Sequence, residues 1–228
     1  ENKVEAVIDH GQGRVPCAAA PLAVLDLGTN NCRLLIAGFD RRDGFRVVDS
    51  FSRIVRLGEG VQGSGPLSAA ALERTIAALK VCAGRIRRSG AVKVRCIATQ
   101  AARLADNADV LVARARTEAG LVLEVISAEQ EADLVALGCA PLIGPKYRGA
   151  LVFDIGGGST EIIRLARAEG PDRAQMCKRF AASLPLGVVT LAEREPLRGR
   201  ADYDLLCAEL AQRFAPLAQA TADFDPEA

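Results

Sequence analysis

Two copies of one short pattern limit the folds available to this chain more than any other feature. Residues 24–35 read VLDLGTNNCRLL, and residues 152–163 read VFDIGGGSTEII. Aligned on Asp26 and Asp154, each copy is an apolar strand ending in Asp, a turn of small residues and a second apolar strand. The pattern predicts two β-hairpins with a carboxylate and exposed backbone N–H groups at each tip. If the tips face each other, they form a pocket suited to phosphates and a divalent cation.

Composition excludes several classes of function. Of the 228 residues, 50% are hydrophobic and 25% are charged, which is typical of a globular protein with one large or two modest domains. The formal net charge is only +1, so no global charge attracts the chain to nucleic acid or to a membrane surface. The longest apolar stretch, residues 15–25, contains two prolines and is too short to span a bilayer.

Cysteine and histidine usage narrows the chemistry further. The cysteine count is seven, an odd number without CxxC spacing, which favours reduced thiols in the cytoplasm over a disulfide framework or structural zinc. His10 is the only histidine, so Ser-His-Asp and Cys-His nucleophilic schemes and histidine metal cages are excluded. Any catalysis must therefore rely on carboxylates and backbone groups.

Strand and helix patterns alternate in a way that predicts an α/β fold with two lobes of common design. The order is β-β-β-α-β-α followed by β-β-β-α. We expect a leader at 1–21, a first lobe at 22–132 and a second lobe at 133–228 that stops early. The predicted strands are 22–26, 32–39, 45–55, 92–98, 121–126, 151–154, 161–166 and 175–184, and the predicted helices are 69–88, 109–119, 127–140, 188–194 and 203–219.

The second turn has the stronger chemical signal. Three consecutive glycines allow the backbone to approach a ligand closely, and successive N–H groups in such a turn form an anion-binding nest. Ser159 and Thr160 add hydroxyl donors, while Asp154 and Glu161 on the flanking strands could hold a phosphate-bound magnesium ion between them. The alternative is an ordinary glycine-rich hairpin with solvated carboxylates. The predicted phosphate-binding residues here are Gly156, Gly157, Gly158, Ser159 and Thr160.

The first turn gains its significance from repeating the second in register, because D-x-G-x-N turns alone are common in hairpins. Where the second copy has Glu161, the first has Arg33, a cation suited to terminal phosphate oxygens. A surface salt bridge is the alternative role for Arg33. The predicted phosphate-binding residues of this turn are Gly28, Thr29, Asn30 and Arg33, and Asp26 is a predicted metal ligand.

Two further segments could contribute charged groups to the same pocket. Ser127 and Gln130 have the spacing of a helix capping box, and Glu129 and Glu131 lie in the helix it opens. Because residues two apart lie on roughly opposite helix faces, at most one of these glutamates faces a cleft, where it could act as a general base for water. Arg103 follows a predicted strand by one helical turn and by itself resembles an ordinary basic surface residue.

Taken together, six segments resemble the exopolyphosphatase and guanosine pentaphosphate phosphatase family, within the superfamily of acetate and sugar kinases, chaperone ATPases and actin. They occur in family order across most of residues 22–194. The segments are LDLGTNNCRLLI, RIVRLGEGVQGSGPLS, IATQAAR, EVISAEQEADL, FDIGGGSTEI and SLPLGVVTLAER.

The resemblance implies two actin-like lobes built on mixed five-stranded sheets, with an active site in the cleft between them. It implies Mg²⁺-dependent release of terminal phosphate from inorganic polyphosphate or guanosine pentaphosphate. Glu131 matches the catalytic glutamate that activates water, and Arg103 matches a cleft-lining arginine. The two turns match the family's phosphate and metal loops, and a homodimer is an expectation for a complete chain.

Two departures and two alternatives accompany this resemblance. Asn31 stands where the family usually has a small hydroxyl residue, so one phosphate contact is altered. The family continues with a further Gly/Thr-rich segment and a returning helix, which leaves open whether these 228 residues alone are active. The alternatives are a non-catalytic regulator that binds polyanions or guanosine tetra- and pentaphosphate, and a superfamily ATPase or kinase.

Overall fold

The structure, a computed structural model, describes residues 20–40, 44–61, 65–168, 175–194, 197–221 and 224. Most of the predicted leader, including His10 and Cys17, lies outside the described residues. So do residues 41–43 and 169–174, each of which lies between two predicted strands, and residues 62–64. Within the described ranges, the chain forms two β-sheets with helices packed on them, which confirms the α/β class.

The first sheet has five strands in the order β3-β2-β1-β4-β5. Strand β2 runs antiparallel to its two neighbours, β1 and β3, whereas β4 and β5 run parallel to β1, so the sheet is mixed as expected. The parallel strands require crossovers, and helices supply them. The strands are β1 (Leu22–Leu27), β2 (Asn31–Asp40), β3 (Gly44–Ile54), β4 (Lys93–Ala98) and β5 (Leu123–Val125).

Helix α1 (Ala69–Ser89) covers one face of this sheet and forms the main core with it. The Ser68 side chain accepts a hydrogen bond from the N–H of Ala71, and Gly90 ends the helix in the left-handed conformation. Buried aliphatic residues of α1 such as Ile76 and Leu79 face buried positions of β1 and β2.

Two local features differ from the sequence prediction. A short helix, α2 (Gln100–Leu104), follows β4 directly and is absent from the predicted elements, because five residues are too few for a helical periodicity. The helix predicted at 109–119 is instead α3 (Ala108–Arg114), which continues as one π-helical turn over Ala115–Ala119. Helix α2 carries Arg103 and therefore bears on the site.

The second sheet contains three antiparallel strands in the order β6-β7-β8. Helix α4 packs on it through Ala132 and Ala136, which contact a cluster containing Ile163 and Leu165. The boundary predicted between residues 132 and 133 therefore falls inside α4. The elements of this lobe are α4 (Ala128–Cys139), β6 (Gly149–Ile155), β7 (Thr160–Arg167), β8 (Met176–Leu184), α5 (Val188–Ala192) and α6 (Arg200–Ala220).

The start of α4 agrees with the sequence prediction in detail. The Ser127 hydroxyl accepts from the N–H of Gln130 at 3.1 Å, and the Gln130 side chain accepts from the N–H of Ser127 at 2.9 Å. This reciprocal capping box is confirmed. Across the part of the chain that the structure describes, no helix combines the length and apolar character needed to cross a membrane.

Candidate active site

The two repeated turns have the same backbone geometry. The N–H of Gly28 donates to the carbonyl of Asn31 at 2.9 Å, and the N–H of Gly156 donates to the carbonyl of Ser159 at the same distance. Strand register matches as well, since Asp26 lies opposite Arg33 on β1 and β2, and Asp154 lies opposite Glu161 on β6 and β7. The repeated pattern is therefore a structural repeat.

The tips of these turns pack directly against each other. A Cβ atom built on Gly158 would lie 2.6 Å from Oγ1 of Thr29, and one built on Gly157 would lie 3.2 Å from the backbone nitrogen of Asn30. Side chains at those positions would push the two tips apart. The glycines of the second turn thus allow its backbone to lie against the first turn.

The start of α5 holds the second turn from the other side. The N–H groups of Val188 and Val189 donate to the carbonyls of Gly156 and Gly157 at 3.0 and 2.8 Å. Gly187 passes so close that a Cβ on it would lie 2.4 Å from the carbonyl carbon of Gly157. These contacts direct the glycine carbonyls toward α5 and fix the position of the turn.

A cleft of about 310 Å³ opens between the turns. Both turns, the start of α2 and the first turn of α4 contribute to its lining, so residues far apart in sequence meet there. The lining residues are Asp26, Gly28, Thr29, Asn30, Asn31, Arg33, Thr99, Gln100, Glu131, Asp154, Ile155, Gly156, Gly157, Gly158, Ser159 and Val188.

Three residues predicted for the site lie just behind this lining. The Thr160 hydroxyl is buried and donates to the carbonyl of Leu186 at 2.6 Å. Glu161 is only 1% exposed and accepts a hydrogen bond from the Ser183 hydroxyl at 2.7 Å. Arg103 lies behind Glu131. Their roles in phosphate or metal binding stay predictions.

Glu131 faces the cleft from the first turn of α4, whereas Glu129 is exposed. Nη1 of Arg103 donates to Oε2 of Glu131 at 2.7 Å and to the carbonyl of Ile126 at 3.0 Å. Nη2 of Arg103 donates to the side-chain oxygen of Gln100 at 2.8 Å. Because these bonds hold the guanidinium from three directions, it fixes the orientation of the Glu131 carboxylate.

Burial and the neighbouring charges have opposing effects on the pKa of Glu131. Burial raises the pKa of this carboxyl, Arg103 opposes the rise, and the negative charges of Glu161 and Asp26 add to it. The side chains of the Arg103–Glu131 pair are 15% and 17% exposed, so water screens the pair only in part. A partly desolvated carboxylate of this kind is suited to accepting a proton from water.

Asp26 and Asp154 form a second centre of negative charge. Burial raises the pKa of Asp26, Arg33 lowers it, and the charge of Asp154 raises it again. Within the described ranges, no group of three or more His, Cys, Asp or Glu side chains is arranged to hold a metal ion. Two carboxylates lining an open cleft fit Mg²⁺, which is commonly bound by one or two carboxylates together with water and phosphate oxygens.

Sequence reasoning did not identify several residues that build the cleft. Gln100 lines it, accepts from Arg103 and packs near Gly158, while Gly58 packs against the methyl group of Thr29. Gly187 and Val188 hold the second turn. Each belongs to a segment quoted above for the family resemblance, but its role depends on contacts between distant segments.

Fold and site together define a two-lobed α/β protein in which a pair of glycine-containing turns meets at a carboxylate-lined cleft. Residues 36–200 match the Ppx/GppA phosphatase family. This match covers more than half of the chain, and the chain therefore belongs to that family. The resemblance stated from the sequence is confirmed.

Solved structures agree with this assignment. The chain is 26% identical to an exopolyphosphatase from Cytophaga hutchinsonii, with a TM-score of 0.77 over 90% of this chain and 64% of that one. It is 30% identical to the Aquifex aeolicus Ppx-GppA enzyme, with a TM-score of 0.67 over 88% of this chain and 64% of that one. The chain thus matches about 64% of the length of each of these relatives.

Proposed function

We propose that this protein hydrolyses phosphoanhydrides and releases terminal phosphate from inorganic polyphosphate or guanosine pentaphosphate. The observation that carries the proposal is the position of Glu131, which faces the cleft between the two turns and is held there by Arg103 at 2.7 Å. Membership of the Ppx/GppA phosphatase family and likeness to an exopolyphosphatase support the same reaction class. Guanosine pentaphosphate as a substrate rests on the sequence resemblance alone.

The proposed binding step uses both turns. Terminal phosphate oxygens accept hydrogen bonds from free N–H groups and hydroxyls of the turns, and from the guanidinium of Arg33, which lines the cleft. Because the turns are held against each other and against α5, these donors are positioned before the substrate arrives. Asp26 and Asp154 would hold a Mg²⁺ ion, which supplies positive charge to the phosphate oxygens when bound.

In the proposed chemical step, ionised Glu131 takes a proton from a water molecule, and the oxygen of that water attacks the terminal phosphorus. The bond from that phosphorus to the bridging oxygen breaks, and the shortened polyanion leaves with the bridging oxygen. Little covalent chemistry is required of the protein in such a transfer, so positioning and charge stabilisation dominate. A chain whose cleft offers carboxylates, an arginine and backbone donors has the groups that this reaction needs.

The experiment compares Glu131→Gln with Glu129→Gln. We expect the first variant to lose phosphate release from polyphosphate by at least about 100-fold, because the amide cannot accept the proton. Binding of polyphosphate should persist. Glu129 lies two residues away and is exposed, so its variant controls for the loss of a negative charge near the start of α4. Equal activity of the two variants would contradict the proposal.

Two further measurements distinguish the alternatives. Wild-type protein that binds polyphosphate but releases no phosphate would favour a regulator. Preference for ATP over polyphosphate and guanosine pentaphosphate would favour an ATPase or kinase. The chain matches about 64% of the length of its relatives, and these assays are made on the whole gene product.

The pH profile provides an independent readout. Glu131 must be ionised to act as a base, and burial raises its pKa above the ordinary value of 4.5. We therefore expect the rate to increase with pH on the acid side, with a midpoint above 4.5. A midpoint at or below that value would contradict the assigned role of Glu131.

A further inference from the structure

The segment that follows β3 wraps around the first turn. The N–H groups of Val55 and Arg56 both donate to the carbonyl of Asn30, at 2.8 and 3.0 Å, and the N–H of Gly58 donates to the carbonyl of Thr29 at 2.9 Å. Thr29 and Asn30 line the cleft. Arg56 is therefore fixed next to the site, although it is not one of the cleft-lining residues.

The backbone of Arg56 adopts an unfavourable conformation at this point. Its φ is 49°, and within the described ranges it is the only residue other than glycine with a positive φ. Side chains other than glycine disfavour this region. Arg74 holds the segment in place, since its Nε donates to the carbonyl of Val55 at 2.9 Å and its Nη2 donates to the carbonyl of Arg56 at 3.4 Å.

The Arg56 side chain is exposed and makes no ion pair or hydrogen bond with any residue that the structure describes. The nearby carboxylate of Glu59 is already paired with Arg74 at 2.9 Å. Arg56 thus combines a disfavoured backbone conformation with a guanidinium free of described protein partners.

The cleft itself explains why a cation is useful at this position. Its lining contains three carboxylates but only one arginine, Arg33. The side chains of such a lining supply little positive charge of their own, so a cation beside the cleft would add to the attraction for a substrate with many phosphates. The backbone N–H of Arg56 is hydrogen-bonded to the first turn, so its exposed guanidinium belongs to a residue that is anchored beside the cleft.

We infer that Arg56 binds a phosphate group of the polyanionic substrate that lies outside the cleft. This inference rests on the proposed function and extends it. It assigns to Arg56 a part of the affinity for polyphosphate that does not apply to orthophosphate. Arg56 acts here in binding, not in the chemical step.

The test measures polyphosphate binding by calorimetry in the Glu131→Gln background, at low and moderate salt. Arg56→Gln should weaken binding about fivefold at low salt, with a smaller effect at moderate salt. Binding of orthophosphate, which needs only the cleft, should stay unchanged. Arg87→Gln is the matched control, because Arg87 is an exposed arginine in the last turn of α1, 13 residues after Arg74 and about 20 Å along the helix axis.

The Arg56→Gly variant distinguishes the effect of the guanidinium on binding from the effect of the backbone conformation. Glycine accepts the positive φ, so this variant keeps the turn and should be at least as stable in thermal unfolding. We expect it to bind polyphosphate as weakly as Arg56→Gln does, whereas Arg56→Lys should recover part of the affinity. Wild-type affinity in Arg56→Gly would overturn the inference.

Failure of this inference is distinguishable from failure of the proposed function. The parent protein in this test is the Glu131→Gln variant with Arg56 intact. If it binds polyphosphate and the Arg56 variants bind polyphosphate as tightly as Arg87→Gln does, only the role of Arg56 is wrong. If the parent protein binds no polyphosphate, the proposed function itself is contradicted and the role of Arg56 falls with it.

Discussion

The two turns have the same backbone hydrogen bond and the same strand register, but they differ in the side chains that they carry. The first turn presents side chains to the cleft, and its equivalent strand position carries exposed Arg33. The second turn contributes three glycines, and its equivalent position carries Glu161, which is only 1% exposed. The first turn therefore lines the cleft with larger polar side chains, and the second brings its glycine backbone to the same cleft. A duplicated hairpin has supplied two different halves of one cleft.

The strongest test of this contrast replaces the two equivalent charged residues. Glu161→Ala should lower the free energy of unfolding by about 3 kcal/mol, because it creates a cavity and leaves the Ser183 hydroxyl unpaired. Arg33→Ala should change stability by less than about 0.5 kcal/mol and weaken polyphosphate binding instead. Urea unfolding measures both. Similar destabilisation by the two variants would remove the distinction between the turns.

A second test adds one methyl group to each turn. Gly158→Ala should destabilise the protein by about 2 kcal/mol and reduce phosphate release, because its Cβ would lie 2.6 Å from Oγ1 of Thr29. Gly28→Ala is the control, since its Cβ would meet only the carbonyl of Asn31 at 3.6 Å. Thermal unfolding and activity assays check the pair. A harmless Gly158→Ala would show that the tips tolerate separation.

A third test uses two serines at equivalent register positions. Ser183 lies opposite Glu161, and Ser52 lies opposite Arg33. Ser183→Ala should lower the free energy of unfolding by about 1 kcal/mol, because Glu161 loses its hydrogen-bond donor. Ser52 is exposed, so Ser52→Ala should have no measurable effect. Equal losses would contradict the burial difference between the lobes.

The smallest effect concerns the charge of the first turn. The pKa of Asp26 is raised mainly by burial, so its ionised form is disfavoured in the folded state. The stability associated with protonated Asp26 is present at low pH and is lost as pH rises through the raised pKa. Asp26→Asn should therefore increase Tm by about 2 °C at pH 7, while abolishing the predicted metal ligand. The increase should vanish below pH 3.8, the ordinary pKa of an aspartic acid.

Local signals in the sequence were sufficient for much of this fold. Ser68 and Gly90 mark the ends of α1, and the capping box at Ser127 marks the start of α4, because these residues act on backbone groups within a few positions. Helix α2 and the π-helical turn were missed. Both are five residues long, which is too short for periodicity to register.

The parts of the site that lie within one short segment were predictable from the sequence. The parts that depend on contacts between distant segments were not. The pattern identified the Asp26 and Asp154 turns, and the helix argument placed only one of Glu129 and Glu131 in a cleft. The pattern did not indicate that Gln100 would accept from Arg103, or that Gly187 would pack on Gly157. It also did not reveal that Glu161 is buried behind the cleft lining.

The sequence alone determined the two hairpins, their carboxylates and the alternation of strands and helices, because each depends on neighbours along the chain. Only the tertiary structure decided that the turns touch, that Arg103 holds Glu131 and that the Arg56 guanidinium has no described partner. The physical reason is that burial and ion pairing are properties of groups brought together from distant positions. Residues 26, 131 and 154 share one cleft because two sheets and a helix place them there.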